Sequence, residues 1–160
     1  MENQELIEMA KKAKEYSYSP YSKYRVGAAL LCEDGKVYTG CNIENAAYGP
    51  SNCAERTAIF KAVSEGNIKF KKIAIICDDS SPAYPCGVCR QVMSEFAPNL
   101  QILVANKNGE YVETNLKELL PNSFSLWLFF KIKLNLKTII ILDLLLKKIK
   151  AEPWFFCWIN

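Results

Sequence analysis

The chain has 160 residues, half of them hydrophobic and 23% charged, which suits one domain with a real core and excludes a disordered or low-complexity protein. It has seven cysteines and no histidine, which excludes Ser-His-Asp and Cys-His catalysis and any imidazole metal ligand. Residues 1–125 carry 14 Lys+Arg against 15 Asp+Glu, and residues 126–160 carry 6 against 2. The net +3 therefore belongs to the tail, and the body lacks the basic footprint of a nucleic-acid binder.

In chain order, Leu6, Ile7, Ala10, Ala13 and Lys14 fall at helical spacing and predict an amphipathic helix over 4–18, ended by Ser19-Pro20. Tyr24 to Cys32 reads as a strand, Glu33-Asp34-Gly35-Lys36 as a hairpin turn, and Val37 to Cys41 as the returning strand. A loop over 42–52 leads to a helix from Cys53 to Glu65 that closes at Gly66. Lys72 to Cys77 is a short strand, and a polar loop reaches Pro85. A second helix spans Cys86 to Phe96, followed by strands at 100–105 and 111–113 and a short helix at 116–120. This order predicts an α/β layer fold.

The acidic, polar start Met1-Glu2-Asn3-Gln4-Glu5 lacks the basic-then-apolar pattern of an export signal. The expectation is a reducing, cytoplasmic compartment in which the cysteines are thiols. Cys32, Cys41 and Cys77 lie in strand runs, as small buried hydrophobes do.

Cys86 and Cys89 form a C-x-x-C pair, and Cys53-Ala54-Glu55-Arg56 supplies a further thiol. Three thiolates suit zinc and leave a fourth coordination position open, as in catalytic sites. Cys41 as a fourth ligand would instead close the site. Both pieces start helices, where partial positive charge favours thiolate. Arg56 and Arg90 stand close enough in sequence to offset the negative charge of a three-thiolate zinc. Glu55, two residues beyond Cys53, can sit over the metal without ligating it, and a carboxylate there can move a proton from water to a substrate nitrogen. A redox pair would explain Cys86 and Cys89 but not the Cys53-Ala54-Glu55 piece, and a zinc ribbon would need a second C-x-x-C. A ligand-x-Glu element followed by P-C-x-x-C is the pattern of zinc deaminases, which have an all-cysteine variant.

Five ordered motifs, PYSKYRVGAAL (20–30), GCNIENAAY (40–48), CAERTA (53–58), PCGVCRQ (85–91) and ELLPNSF (118–124), make residues 5–125 similar to the small homotetrameric cytidine deaminases. The resemblance implies a three-layer α/β/α fold with a mixed central sheet, and one zinc ion per subunit held by Cys53, Cys86 and Cys89. It implies that Glu55 is the proton shuttle and that Asn42 and Glu44 bind the ribose hydroxyls. Tyr24 stands where the family commonly has Phe. It would wall the nucleoside, with Ala54 lining the site and Tyr48 and Phe124 closing it, partly from neighbouring subunits. Arg56 and Gln91 would hydrogen-bond the ligand sulfurs. The implied reaction is hydrolytic deamination of cytidine and deoxycytidine in pyrimidine salvage. A related aminopyrimidine nucleoside is the alternative substrate, and a non-catalytic structural zinc protein the alternative of another class.

Residues 126–160 depart from that resemblance. They hold all three tryptophans and no glycine, and Lys137 and Asp143 break their apolar runs well short of the roughly 18 residues a spanning helix needs. Their Lys, Asn, Ile, Phe and Leu bias fits a shifted or extended reading frame, or an amphipathic helix that packs on the body or on a membrane surface.

Overall fold

The segments Ala28-Ala29-Leu30-Leu31-Cys32 and Ile73-Ala74-Ile75-Ile76-Cys77 are apolar on consecutive residues. A strand of that kind needs cover on both faces. The computed structural model, which describes residues 1–126, supplies that cover. The elements are α1 (Asn3–Lys14), β1 (Val26–Cys32), β2 (Val37–Cys41), α2 (Ala54–Ser64), β3 (Phe70–Cys77), α3 (Gly87–Phe96), β4 (Gln101–Ala105), β5 (Tyr111–Asn115) and α4 (Leu116–Leu119). The chain divides into two compact units, Met1–Ser123 and Phe124–Asn160. Only residues 124–126 of the second fall within the described residues, so the expectations for the tail lie outside them.

The sheet runs β2-β1-β3-β4-β5. β1 pairs antiparallel with both β2 and β3, β3 pairs parallel with β4, and β4 pairs antiparallel with β5. The parallel pair requires a crossover, and α3 provides it. Alternate residues of β1, β3 and β4 face opposite sides. Ala29, Leu31, Ala74, Ile76, Leu103 and Ala105 meet Leu6, Ile7 and Ala10 of α1. On the other face Leu30, Ile73, Ile75, Ile102 and Val104 meet Ala58, Ile59 and Ala62 of α2 and Met93 of α3. The result is the expected three-layer α/β/α arrangement with a mixed sheet. No helix among the described residues is long and apolar enough to cross a membrane.

Three of the boundaries that differ from the sequence expectation have a visible cause. α1 stops at Lys14 instead of 18 because the next residues are drawn elsewhere. The Tyr18 N–H donates to the Asn42 carbonyl at 3.1 Å, and the Glu44 N–H donates to the Tyr18 carbonyl at 2.8 Å. β1 starts at Val26 instead of Tyr24, since the Tyr24 carbonyl accepts from the Asn42 side chain and not from a neighbouring strand. β3 starts two residues early at Phe70, whose ring packs on Phe96 at 5.4 Å. In each case long-range pairing overrides local pattern.

Gly40 has a direct bearing on the site. A Cβ there would lie 2.5 Å from both the Ala54 carbonyl oxygen and the Ala58 nitrogen. The first turn of α2 therefore sits on the backbone of β2, closer than any other residue allows.

Candidate functional site

Cys53 and Cys86 are the N-cap residues of α2 and α3, each in extended conformation with ψ of 156° and 165°. Both helices pack on one face of the sheet, and their first turns meet there. Cys89 lies in the first turn of α3. The Sγ atoms of Cys53 and Cys86 are 3.8 Å apart, those of Cys86 and Cys89 are 3.5 Å apart, and all three lie within 4.8 Å of one another. Tetrahedral zinc with Zn–S bonds of about 2.3 Å needs sulfurs about 3.8 Å apart. The geometry and the soft donor set both fit zinc. Cys41 is not part of this group. Its thiol donates to the Tyr16 carbonyl at 3.3 Å, so Cys41 does not take the place of a fourth ligand.

The two arginines have separate tasks. Arg56 Nη2 donates to Cys53 Sγ at 3.6 Å and to the Ser51 carbonyl at 3.3 Å. Arg90 turns away from the sulfurs. Its Nε donates to the Pro85 carbonyl at 2.7 Å and its Nη1 to the Leu119 carbonyl at 2.9 Å. The expectation that Arg90 offsets thiolate charge is thus corrected: its donors go to backbone carbonyls, bracing α3 against α4. Gln91 is half-buried on α3.

Hydrogen bonding from Cys89, then from Arg56 and Cys86, lowers the Cys53 thiol to about 5. Cys89, which gives that hydrogen bond and is itself buried, is pushed up. A helix N-terminus further favours the thiolate. Glu55, in the first turn of α2, is 4% exposed. Burial first, and the Cys53 charge second, push its carboxyl up to about 7. A carboxylic acid poised near neutral pH is suited to taking and giving a proton.

These groups form one end of a cleft of about 580 Å³ that Cys53, Ala54, Glu55, Tyr24, Asn42 and Glu44 help to line. Tyr24 is 37% exposed there. Asn42 is heavily committed to its own chain. Its Oδ1 accepts from the Val26 N–H at 2.8 Å and from Ser17 Oγ at 2.5 Å, and its Nδ2 donates to the Tyr24 carbonyl at 2.8 Å. Glu44 accepts from the N–H groups of Tyr21 and Ser22 and from Ser22 Oγ.

Ser22, Asn52 and Tyr84 also line the cleft and were missed in the sequence. Ser22 lies inside the first motif and was open to discovery there, whereas Tyr84 sits in a polar loop with no pattern to mark it. Tyr48 does not line this cleft. It is 77% exposed, has φ of 54°, and its ring lies 6.5 Å from that of Tyr21 beside a neighbouring hollow. Phe124 opens the second unit and is exposed.

A family model described as the cytidine and deoxycytidylate deaminase zinc-binding region matches residues 1–105. The chain belongs to this family. It is 52% identical over 126 residues to a cytidine deaminase of Sporosarcina psychrophila, covering 78% of this chain and 93% of that one. A cytidine deaminase of Halalkalibacterium halodurans is 50% identical over 126 residues, covering 78% and 96%. The crystal structure of a cytidine deaminase from Burkholderia pseudomallei superposes with a TM-score of 0.75 at 48% identity, covering 78% of this chain and all of that one. Family membership covers the α/β fold and the zinc-binding region, and the three cysteines assembled here form a group that could hold one zinc ion.

Proposed function

We propose that this chain catalyses the zinc-dependent hydrolytic deamination of cytidine and deoxycytidine, giving uridine and deoxyuridine and releasing ammonia. The observation that carries the reading is the buried Glu55 carboxyl beside a three-thiol group of zinc geometry at the end of a nucleoside-sized cleft. Cys53, Cys86 and Cys89 hold the metal. Zinc, when bound, supplies the Lewis acidity that makes water a nucleophile at neutral pH. Glu55 takes a proton from the attacking water and delivers it to N3 of the cytosine ring. As the C4–N4 bond breaks, Glu55 takes the proton of the hydroxyl added at C4 and passes it to the departing amine, leaving the C4 carbonyl of the product and releasing ammonia. Burial excludes bulk water from that carboxyl and holds it near neutrality, so both transfers are accessible.

Tyr24 offers its ring to the base. A carboxylate has about four lone-pair sites, and three donors occupy Glu44, so it retains room for one sugar hydroxyl. Asn42 retains one Nδ2 hydrogen for the same purpose. The working form is a cytoplasmic homotetramer engaged in pyrimidine salvage. The exposure of Tyr21 and Tyr48 beside the cleft supports completion of the pocket by a neighbouring subunit, with Phe124 arriving in the same way. Zinc analysis, light-scattering mass and cytidine turnover followed by ultraviolet absorbance test this reading together. Equimolar zinc, a tetramer and chelator-sensitive turnover are expected. Stoichiometric zinc without turnover of either nucleoside overturns the catalytic reading in favour of a structural metal.

A further inference from the structure

We infer that Ser22 is a positioning residue for Glu44, fixing the direction in which that carboxylate meets the sugar. This rests on the nucleoside-deaminase reading and extends it to a residue outside the metal and proton machinery. The Ser22 hydroxyl makes two bonds at once. It donates to Glu44 Oε1 and accepts the Tyr24 N–H at 3.0 Å. The N–H groups of Tyr21 and Ser22 donate to Glu44 Oε2 at 2.9 and 3.2 Å. Between Ser22 and Tyr24, Lys23 adopts φ of 59°, a left-handed conformation that costs a non-glycine residue about 1 kcal/mol. Its N–H is tied to the Ser19 carbonyl at 3.1 Å. The turn thus aims three donors at one carboxylate, and the carboxylate in return holds the turn in a conformation it would not adopt freely.

Glu44 and Tyr24 both line the cleft, as does Ser22. The same donors, Ser22 Oγ foremost, hold Glu44 below its ordinary carboxylate value, so it faces the sugar as an ionised acceptor. With three lone pairs committed, the direction of the free one is preset. The sugar-facing acceptor and the base-facing ring are therefore joined through one hydroxyl, Ser22 Oγ.

The test compares substrates that differ only in the sugar. Ser22→Ala raises KM for cytidine about tenfold, the loss expected for a hydrogen bond to a charged group, with kcat kept within about twofold. The inhibition constant of 2′,3′-dideoxycytidine, which offers Glu44 no hydroxyl, moves less than about twofold. Ser22→Thr, which keeps the hydroxyl, restores the cytidine KM. A parallel loss for both nucleosides, an unchanged cytidine KM, or a fall in kcat alone overturns the proposal. Zinc content and thermal midpoint accompany each variant. Should Ser22→Ala fail to fold, Ser22→Cys carries the same comparison: a sugar-selective rise supports the positioning of Glu44 and a parallel rise overturns it. Wild-type protein inactive on cytidine and deoxycytidine overturns the underlying reading and this proposal with it. Wild-type turnover without a sugar-selective effect overturns this proposal alone.

Discussion

The two ends of the cleft are built on different principles. At the thiol end, Cys53, Glu55, Cys86 and Cys89 all stand at or within one turn of a helix start, so local helix geometry presents them. At the loop end, Asn42 and Glu44 are held by bonds to residues 16 to 25 positions away. The first end is held by two helices that seat on the sheet. The second is held by hydrogen bonds between side chains and backbone of separate segments. One cleft can thus combine a locally encoded cluster with a second cluster that exists only after folding.

The largest test of this contrast is Glu55→Gln. Its kcat is expected to fall by about 10²- to 10⁴-fold, the usual worth of general acid–base catalysis, while zinc content by metal analysis stays equimolar. Retained turnover would remove Glu55 from the chemistry and leave the thiol end a metal holder only. Next come the two arginines. Arg56→Ala should weaken zinc affinity about 10- to 100-fold, the usual effect of losing a group that bonds a metal ligand, whereas Arg90→Ala should lower the thermal midpoint with little change in zinc affinity. Competition with a zinc-binding dye separates them, and equal affinity loss would undo their division of labour.

Gly40→Ala probes the seat of α2. The added Cβ meets backbone and not a yielding side-chain tip, so unfolding free energy should drop by about 1–3 kcal/mol, together with zinc affinity. Loss of stability with unchanged zinc binding would show that the thiol end tolerates movement of α2.

The effect farthest from the thiols concerns Asp78, which accepts from Lys14 Nζ at 2.5 Å and from Arg25 Nε at 2.7 Å and so ties α1 to the residue after Tyr24. Burial pushes Asp78 up, but the hydrogen bonds and charges of Lys14 and Arg25 together outweigh it and hold the carboxyl below its ordinary value. A lowered folded-state pKa gives stability that is present above the unfolded value, about 3.9, and lost as pH falls through the folded one. Asp78→Asn should therefore cost about 2 kcal/mol near neutral pH and converge with wild type in strong acid. Denaturant titrations across pH 2–7 check this, and a constant gap would rule out the ion pair as its source.

Legibility followed the same division. The thiol end was readable because C-x-x-C and C-x-E spacings translate directly into first-turn positions. The apolar runs at 28–32 and 73–77 likewise announced a doubly covered sheet. The end of α1 was not readable, since Tyr18 leaves the helix for a partner 25 residues on, Ile43. Nor was the split between Arg56 and Arg90, whose sequence neighbourhoods are alike and whose acceptors are not.

By itself, then, the sequence pointed to the element order, to three cysteines as a thiolate set suited to zinc, and to Glu55 as the carboxyl beside them. Only the tertiary structure decided that Asn42 and Glu44 are braced against residues 17–26, that Gly40 seats α2, and that Ser22 joins Glu44 to Tyr24. The physical reason is distance along the chain. Positions within one helical turn share a geometry that any sequence reader can apply. Hydrogen bonds across 16 or more residues depend on the whole sheet being in register before either partner can find the other.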